Sequence, residues 1–196
     1  MTSISALENI HQKGLFGDYE GKNENELIKI FERKNLLIVQ IAQYKNSSFS
    51  TKDINIDDLN LTNETLKVSC NNDTRILWCG PKNWLLISRK KDLLKTIQKL
   101  LKDNDFAVTD LSHSRAIIEL EGENSKEILK KGCPFNFNEL KKDNCVNSVF
   151  NGVTITIDMI DETPNKIRLF ALRSFGESLY DSVTDSCLEY GYNAIS

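Results

Sequence analysis

The sequence predicts an α+β fold with a largely antiparallel sheet and packed helices, because strand-like runs follow one another in the chain and do not strictly alternate with helices. Two patterns carry this expectation. Val153, Ile155, Ile157 and Met159 alternate with Thr154, Thr156 and Asp158, the period of a strand with one buried face. Between Asp92 and Leu101, the apolar residues Leu93, Leu94, Ile97, Leu100 and Leu101 fall on one stripe of a helix that Asp92 can cap.

Taken in order, residues 1–25 are polar, with Gly14, Gly17 and Gly21 and a short apolar cluster of Leu15, Phe16 and Tyr19. Too little apolar surface is present for a core, so an extended tail is expected, with residues 26–196 as a single domain. LLIVQIAQY at 36–44 is apolar and β-prone. Residues 46–64, rich in Asn, Ser, Asp and Thr, predict a long irregular connection with a helical turn. TLKVSC, TRILWCG and NWLLISR, broken at Asn72-Asp73 and Gly80-Pro81, predict an antiparallel meander on which the 92–101 helix packs. AVTDL and RAIIELEG are strand-like. Asn124 and Glu127 have capping-box spacing before a short helix that Gly132 and Pro134 stop. KIRLFAL pairs with the 153–159 strand after a turn at Pro164. Ser174 and Glu177 repeat the capping-box spacing before a last helix with Phe175, Leu179, Val183 and Tyr190 on its stripe and Gly191 at its end.

Composition narrows the function classes. With 40% hydrophobic and 27% charged residues in 196, the chain has globular proportions and enough length for a sizeable core. A net charge of −3 argues against a nucleic-acid surface, which needs a concentrated basic stripe. Five cysteines, odd in number and never spaced CxxC, support neither a disulfide framework nor a zinc ribbon. The N-terminus lacks a basic segment leading into an apolar one, and no apolar run has the length of a membrane span, so a cytoplasmic protein without membrane partners is expected.

The candidate chemistry is sparse. Asp110, Ser112 and His113 stand together, but on a strand Asp110 and Ser112 share one face and His113 takes the other, which rules out a relay of consecutive bonds. Cys133 follows a helix C-terminus and reads as a buried, inert thiol. Glycine-rich phosphate loops are missing from the strand ends. Asp158, Asp161 and Glu162 read as a solvated face, and Trp78 and Trp84, flanking the Gly80-Pro81 turn, read as core or interface anchors. No residue is therefore assigned to catalysis, to cofactor binding or to a metal.

LWCGPKNWLLIS at 77–88, VTDLSHSRAIIELEGENSKEILKKGCPFNF at 108–137 and RLFALRSFGESLYDSVTDSCLEYG at 168–191 carry a resemblance. In these three blocks, and in their order, the chain resembles the gamma subunit of heterotetrameric sarcosine oxidase. It is more distantly similar to the aminomethyltransferase (folate-binding-domain-like) fold of the glycine cleavage T-protein. The transferases carry an acidic pair, one member of it catalytic, directly after a glycine-rich turn; here Gly152 is followed by Val153, Thr154, Ile155 and Thr156. The resemblance implies a cytoplasmic complex that oxidises sarcosine to glycine, passes the methyl carbon to tetrahydrofolate and yields hydrogen peroxide. FAD, FMN, NAD, zinc and tetrahydrofolate would sit on the alpha, beta and delta subunits, with none on this chain, whose role would be assembly and stabilisation. A complex oxidising another N-methylated amino acid, such as N-methylglutamate, and a stand-alone folate-dependent transferase or folate binder are the alternatives. Leu15, Phe16 and Tyr19, apolar residues stranded in a polar segment, are the expected subunit contacts, with Arg115 and Arg173 near strand ends. Removing residues 1–22 is expected to leave the domain folded and to weaken assembly.

Overall fold

The computed structural model describes residues 4–51 and 54–195. In chain order its strands are β1 (Gly14–Phe16), β2 (Ile28–Glu32), β3 (Leu37–Gln43), β4 (Asn55–Ile56), β5 (Leu59–Asn60), β6 (Val68–Cys70), β7 (Thr74–Gly80) and β8 (Asn83–Ser88). Helix α1 (Leu93–Leu100) follows, then β9 (Phe106–Asp110), β10 (Arg115–Glu121) and α2 (Ser125–Lys130). The last third holds β11 (Asn144–Phe150), β12 (Val153–Glu162), β13 (Asn165–Leu172), a 3-10 turn (Arg173–Phe175), α3 (Gly176–Cys187) and β14 (Tyr192–Ile195).

In place of one domain over 26–196, the chain packs into two compact units. The first comprises residues 1–34, 114–142 and 146–196, and is built on a seven-stranded sheet ordered β1-β14-β2-β10-β13-β12-β11. Its β10–β13, β12–β13, β2–β10 and β1–β14 pairs are antiparallel, and β14 runs parallel to β2. Alternation decides which side of each strand enters the core. Ile118 and Leu120 of β10, Ile167, Leu169 and Ala171 of β13, and Ile155, Ile157 and Met159 of β12 meet Ile128 and Leu129 of α2 and Leu179, Tyr180, Val183 and Cys187 of α3.

The second unit, residues 35–113 and 143–145, holds the antiparallel sheet β6-β7-β8-β3-β9 and the β4–β5 ribbon. The expected meander is β6-β7-β8, and α1 closes its core with Leu93, Ile97 and Leu101 against Val39, Ile41, Ile76, Trp84 and Leu86. Residues 46–64, expected to be irregular, contain the ribbon, turned at Asp57 and Asp58 with φ of 54° and 64°. AVTDL and RAIIELEG form β9 and β10, but they enter different sheets: β9 pairs with β3, and β10 with β13 and β2.

The expected tail is also corrected. Leu7 is fully buried in the first core, β1 is a sheet strand, and Phe16 packs on that core. Gly17 and Gly191 let the segment seat against the end of α3: both have positive φ (70° and 69°), and an added Cβ would lie 2.3 Å from the Leu188 carbonyl oxygen and 2.4 Å from that of Asp18, respectively. The Asp18 N–H donates to Leu188 O at 2.8 Å. Removing residues 1–22 would therefore strip core and sheet together.

Candidate functional site

The expected contact residues occupy two places on the first unit. Leu15, opposite Asn193 at the edge of the seven-stranded sheet, is 46% exposed. Phe16 beside it stacks on Tyr192 with ring centroids 5.1 Å apart, and Tyr19 is half-buried. The chain before them is pinned by charge and by an aromatic pair. The Glu32 carboxylate accepts hydrogen bonds from the Ser5 hydroxyl and, at 3.2 Å, from the Leu7 N–H. His11 Nε2 lies 2.8 Å from the Ile195 carbonyl, which can only accept, so Nε2 carries the proton and Nδ1 accepts from the Tyr180 hydroxyl at 2.9 Å. Burial pushes the Tyr180 phenol well above its ordinary value, which keeps it a donor.

Arg115 and Arg173 come together at the second place. Arg115 opens β10 opposite Leu172, the last residue of β13. The Ser114 carbonyl accepts from the Arg173 backbone N–H at 2.9 Å and from Arg115 Nη1 at 3.4 Å. Arg173 Nη2 donates to the Ile4 carbonyl. Around them stand three exposed apolar side chains that sequence reasoning missed: Ile4 (70%), Leu172 (48%) and Phe175 (49%). Phe175 was expected on the buried stripe of the last helix, but α3 starts one residue later, at Gly176, and the 3-10 turn turns Phe175 out. The strand-to-helix junction in RLFALRSFG was the one signal available in the sequence.

The residues with chemical potential are occupied structurally. β9 ends at Asp110 and the chain turns, and Asp110 and Ser112, expected on one face of a strand, bond each other across that turn. Asp110 Oδ1 accepts from Ser112 Oγ at 2.6 Å and from its N–H at 2.9 Å, while Ser112 Oγ accepts from the Ile38 N–H at 3.0 Å. This closes a turn and directs the serine proton to a carboxylate. Burial raises the Asp110 carboxyl, but the two Ser112 bonds together with the charge of His113 outweigh that, for a net shift downward. Cys133 is buried and donates to Ser148 Oγ at 3.1 Å. Asp158 is fully buried opposite Arg168, so the solvated-face reading fails there. Asp161 and Glu162 do lie outward and pair with Lys142, Lys126 and Lys141. Val153 and Ile155, which follow Gly152, point into the core.

One buried carboxylate went unnoticed in the sequence. Glu119, with no exposed surface, binds Arg33 Nη2 at 2.5 Å and Arg168 Nη2 at 2.7 Å, with Lys166 at 3.8 Å. Burial raises its carboxyl, but the Arg33 hydrogen bond and the Arg168 charge outweigh that and hold it below the ordinary 4.5. Among the described residues, no group of three or more His, Cys, Asp or Glu is placed to hold a metal ion. No described helix is long and apolar enough to cross a membrane.

The second unit has an open groove of about 550 Å³ lined by Phe49, Trp78, Pro81, Lys82, Gln43 and Asn63, among others. Several of its polar side chains are engaged within the chain: Gln43 donates to Phe49 O at 2.8 Å, Asn63 to Thr51 Oγ1 at 2.9 Å, and Lys82 to the Tyr44 and Lys45 carbonyls. Trp84 lies beneath, fully buried, with Nε1 donating to Thr62 O at 2.6 Å.

Comparison with known proteins agrees with this arrangement. The family described as "Sarcosine oxidase, gamma subunit family" matches residues 49–189. A sarcosine oxidase subunit gamma from Corynebacterium sp. (strain U-96) is 39% identical over 62 residues, a stretch that spans 31% of this chain and only 30% of that relative's length. The fold matches a chain of the heterotetrameric sarcosine oxidase from Corynebacterium sp. U-96, solved in complex with pyrrole 2-carboxylate, with a TM-score of 0.82, 21% identity and 95% of each chain covered. It also matches the glycine cleavage system aminomethyltransferase T from Bartonella henselae, with a TM-score of 0.61, 12% identity, and 82% of this chain and 46% of that one covered.

Proposed function

The chain belongs to the sarcosine oxidase gamma subunit family, and from that premise we propose that it is the non-catalytic gamma subunit of a heterotetrameric sarcosine oxidase. The observation that carries the proposal is the family match over residues 49–189. The complex oxidises sarcosine to glycine, reduces dioxygen to hydrogen peroxide and passes the methyl carbon to tetrahydrofolate. FAD, FMN, NAD, zinc and the folate site belong to the alpha, beta and delta subunits, and this chain binds and stabilises them in the cytoplasm. Its contacts include Leu15, Phe16 and Tyr19 at the edge of the seven-stranded sheet and Arg115 and Arg173 at the strand ends.

The T-protein-like fold favours a second reading, a one-carbon transferase or folate binder acting alone. Two features weigh against it. The chain spans less than half of that transferase, and Val153 and Ile155, at the positions after Gly152 where the resemblance would place acids, are packed in the core. Calorimetry of the isolated full chain with tetrahydrofolate separates the two readings. The subunit reading predicts no measurable heat of binding, and micromolar affinity overturns it in favour of the transferase. Turnover of N-methylglutamate in place of sarcosine by the purified complex would transfer the same subunit role to a related dehydrogenase.

A further inference from the structure

One ring ties the N-terminal segment to two distant parts of the first unit. His11, half-buried, meets β14 at the Ile195 carbonyl and α3 at the Tyr180 hydroxyl, and β1 begins three residues beyond it. The proton order is fixed by the partners: Nε2–H donates to Ile195, and Nδ1 accepts from Tyr180. The two rings also meet edge to face, with centroids 5.5 Å apart. Tyr180 is 5% exposed, and among the described residues Nδ1 is the one acceptor that its hydroxyl reaches. A second proton on the imidazole reverses that bond. Nδ1 becomes a donor, the Tyr180 oxygen must accept, and the hydroxyl proton is left in a buried place without a partner.

The surrounding charges do not repair that loss. Around Tyr180 stand Asp181 and Cys187 of its own helix, Tyr192 of β14 and Glu32 of β2. Burial pushes the Cys187 thiol up to about 12 and raises the Tyr192 phenol, so both stay neutral, and Asp181 is exposed to solvent. Glu32 is ion-paired with Lys34 at 3.0 Å and accepts from Ser5 and the Leu7 N–H. On the segment itself, Glu8 pairs with Lys34 at 3.5 Å, and Lys13 is an exposed cation. No described carboxylate is ion-paired with the ring. We infer that His11 is a pH-sensitive clasp: its neutral ring closes the N-terminal segment onto α3 and β14, and protonation loosens that segment together with β1 at the sheet edge.

The test uses the full chain and reads amide hydrogen exchange as protection, relative to an unstructured peptide at the same pH. Between about pH 7.5 and about pH 5.5, where histidine changes charge, the protection of β1 and β14 is expected to fall about tenfold while that of β12 and β13 holds. His11→Gln cannot titrate in this range and should show no fall. Tyr180→Phe leaves no hydroxyl to strand, so its protection, weaker throughout, should be equal at both pH values. His113→Gln, which alters the other histidine of the chain, in the second unit, is the control and keeps the wild-type fall. At the higher pH the imidazole nitrogen spectrum should place the His11 proton on Nε2. Unchanged protection in the wild type, or an equal fall in β12 and β13, overturns the clasp. So does a fall that survives His11→Gln or Tyr180→Phe, one that His113→Gln abolishes, or a His11 proton found on Nδ1. The subunit reading stands in every case, because the clasp does not draw on it.

Discussion

Trp84 concentrates the energetics of the second unit in one side chain. It is fully buried, and its indole N–H closes on the Thr62 carbonyl. Trp84→Ala is expected to cost about 3–5 kcal/mol, read as a lower denaturant midpoint at unchanged slope. In the first unit the comparable residue is Glu119. Its carboxyl titrates below its ordinary 4.5 in the folded chain, so the stability it contributes is fully present above that value and is lost as pH falls through the lower, folded value. Wild type and Glu119→Gln should therefore differ most in unfolding midpoint at neutral pH and converge in acid. Arg168→Met, which strips one partner from the buried carboxylate, is expected to cost about 3 kcal/mol. The sequence marks Trp84 as an anchor because large aromatics beside a turn are seldom idle. It misleads at Asp158, because alternation reports which residues face the helices and is silent on whether the opposite face is covered as well. Asp110 and Ser112 meet as expected, but across a turn, because the strand stops at Asp110.

Elements with long, strongly periodic patterns were legible. The helix at 92–101, the meander and the pairing of the 153–162 and 165–172 strands all stand where alternation and helical spacing put them. Helix entry was not legible. Asp92, Asn124 and Ser174 were expected to cap, and none of the three helices has a side-chain cap bond. The residues at the entries have ψ of −18°, 5° and 7°, already near helical, whereas a capping side chain reaches the first free N–H groups from an extended backbone. Strands β11 and β14 escaped notice because their apolar signal is thin: β14 has four residues, and β11 buries only Cys145 and Phe150 of its seven. β2 is short, although Ile28 and Ile30 alternate with Lys29 and are buried. The N-terminal segment escaped for a different reason. Its seat depends on distant partners, Glu32, Tyr180 and the end of α3, that no local pattern reveals. Gly17→Ala tests that seat. The left-handed backbone alone costs about 1–2 kcal/mol, and the clash with Leu188 adds to it, so the variant should unfold at clearly lower denaturant. A midpoint equal to wild type would mean that the segment does not seat there.

Across the whole molecule, two packed units share one property: the groups that could do chemistry are spent on structure. Val153 and Ile155, after Gly152, are core residues, the Asp-Ser pair closes a loop, and the charged cluster around Glu119 is tied up in ion pairs. What the chain offers instead is surface, in an exposed sheet edge at Leu15 and an ordered patch around Arg173. The division into two units was hidden from the sequence because the first unit is assembled from three separate stretches, which no linear boundary signal marks. The three sequence blocks carried the family correctly, since they fall on the sheets and helices that build both cores. The proposed subunit role places this chain inside a flavin-bearing oxidase. It is tested most directly by isolating the native assembly through this chain and recording its subunit masses and its visible spectrum before and after sarcosine is added. Three partner chains and a flavin absorbance that sarcosine bleaches are expected; a lone, colourless chain would overturn the subunit role.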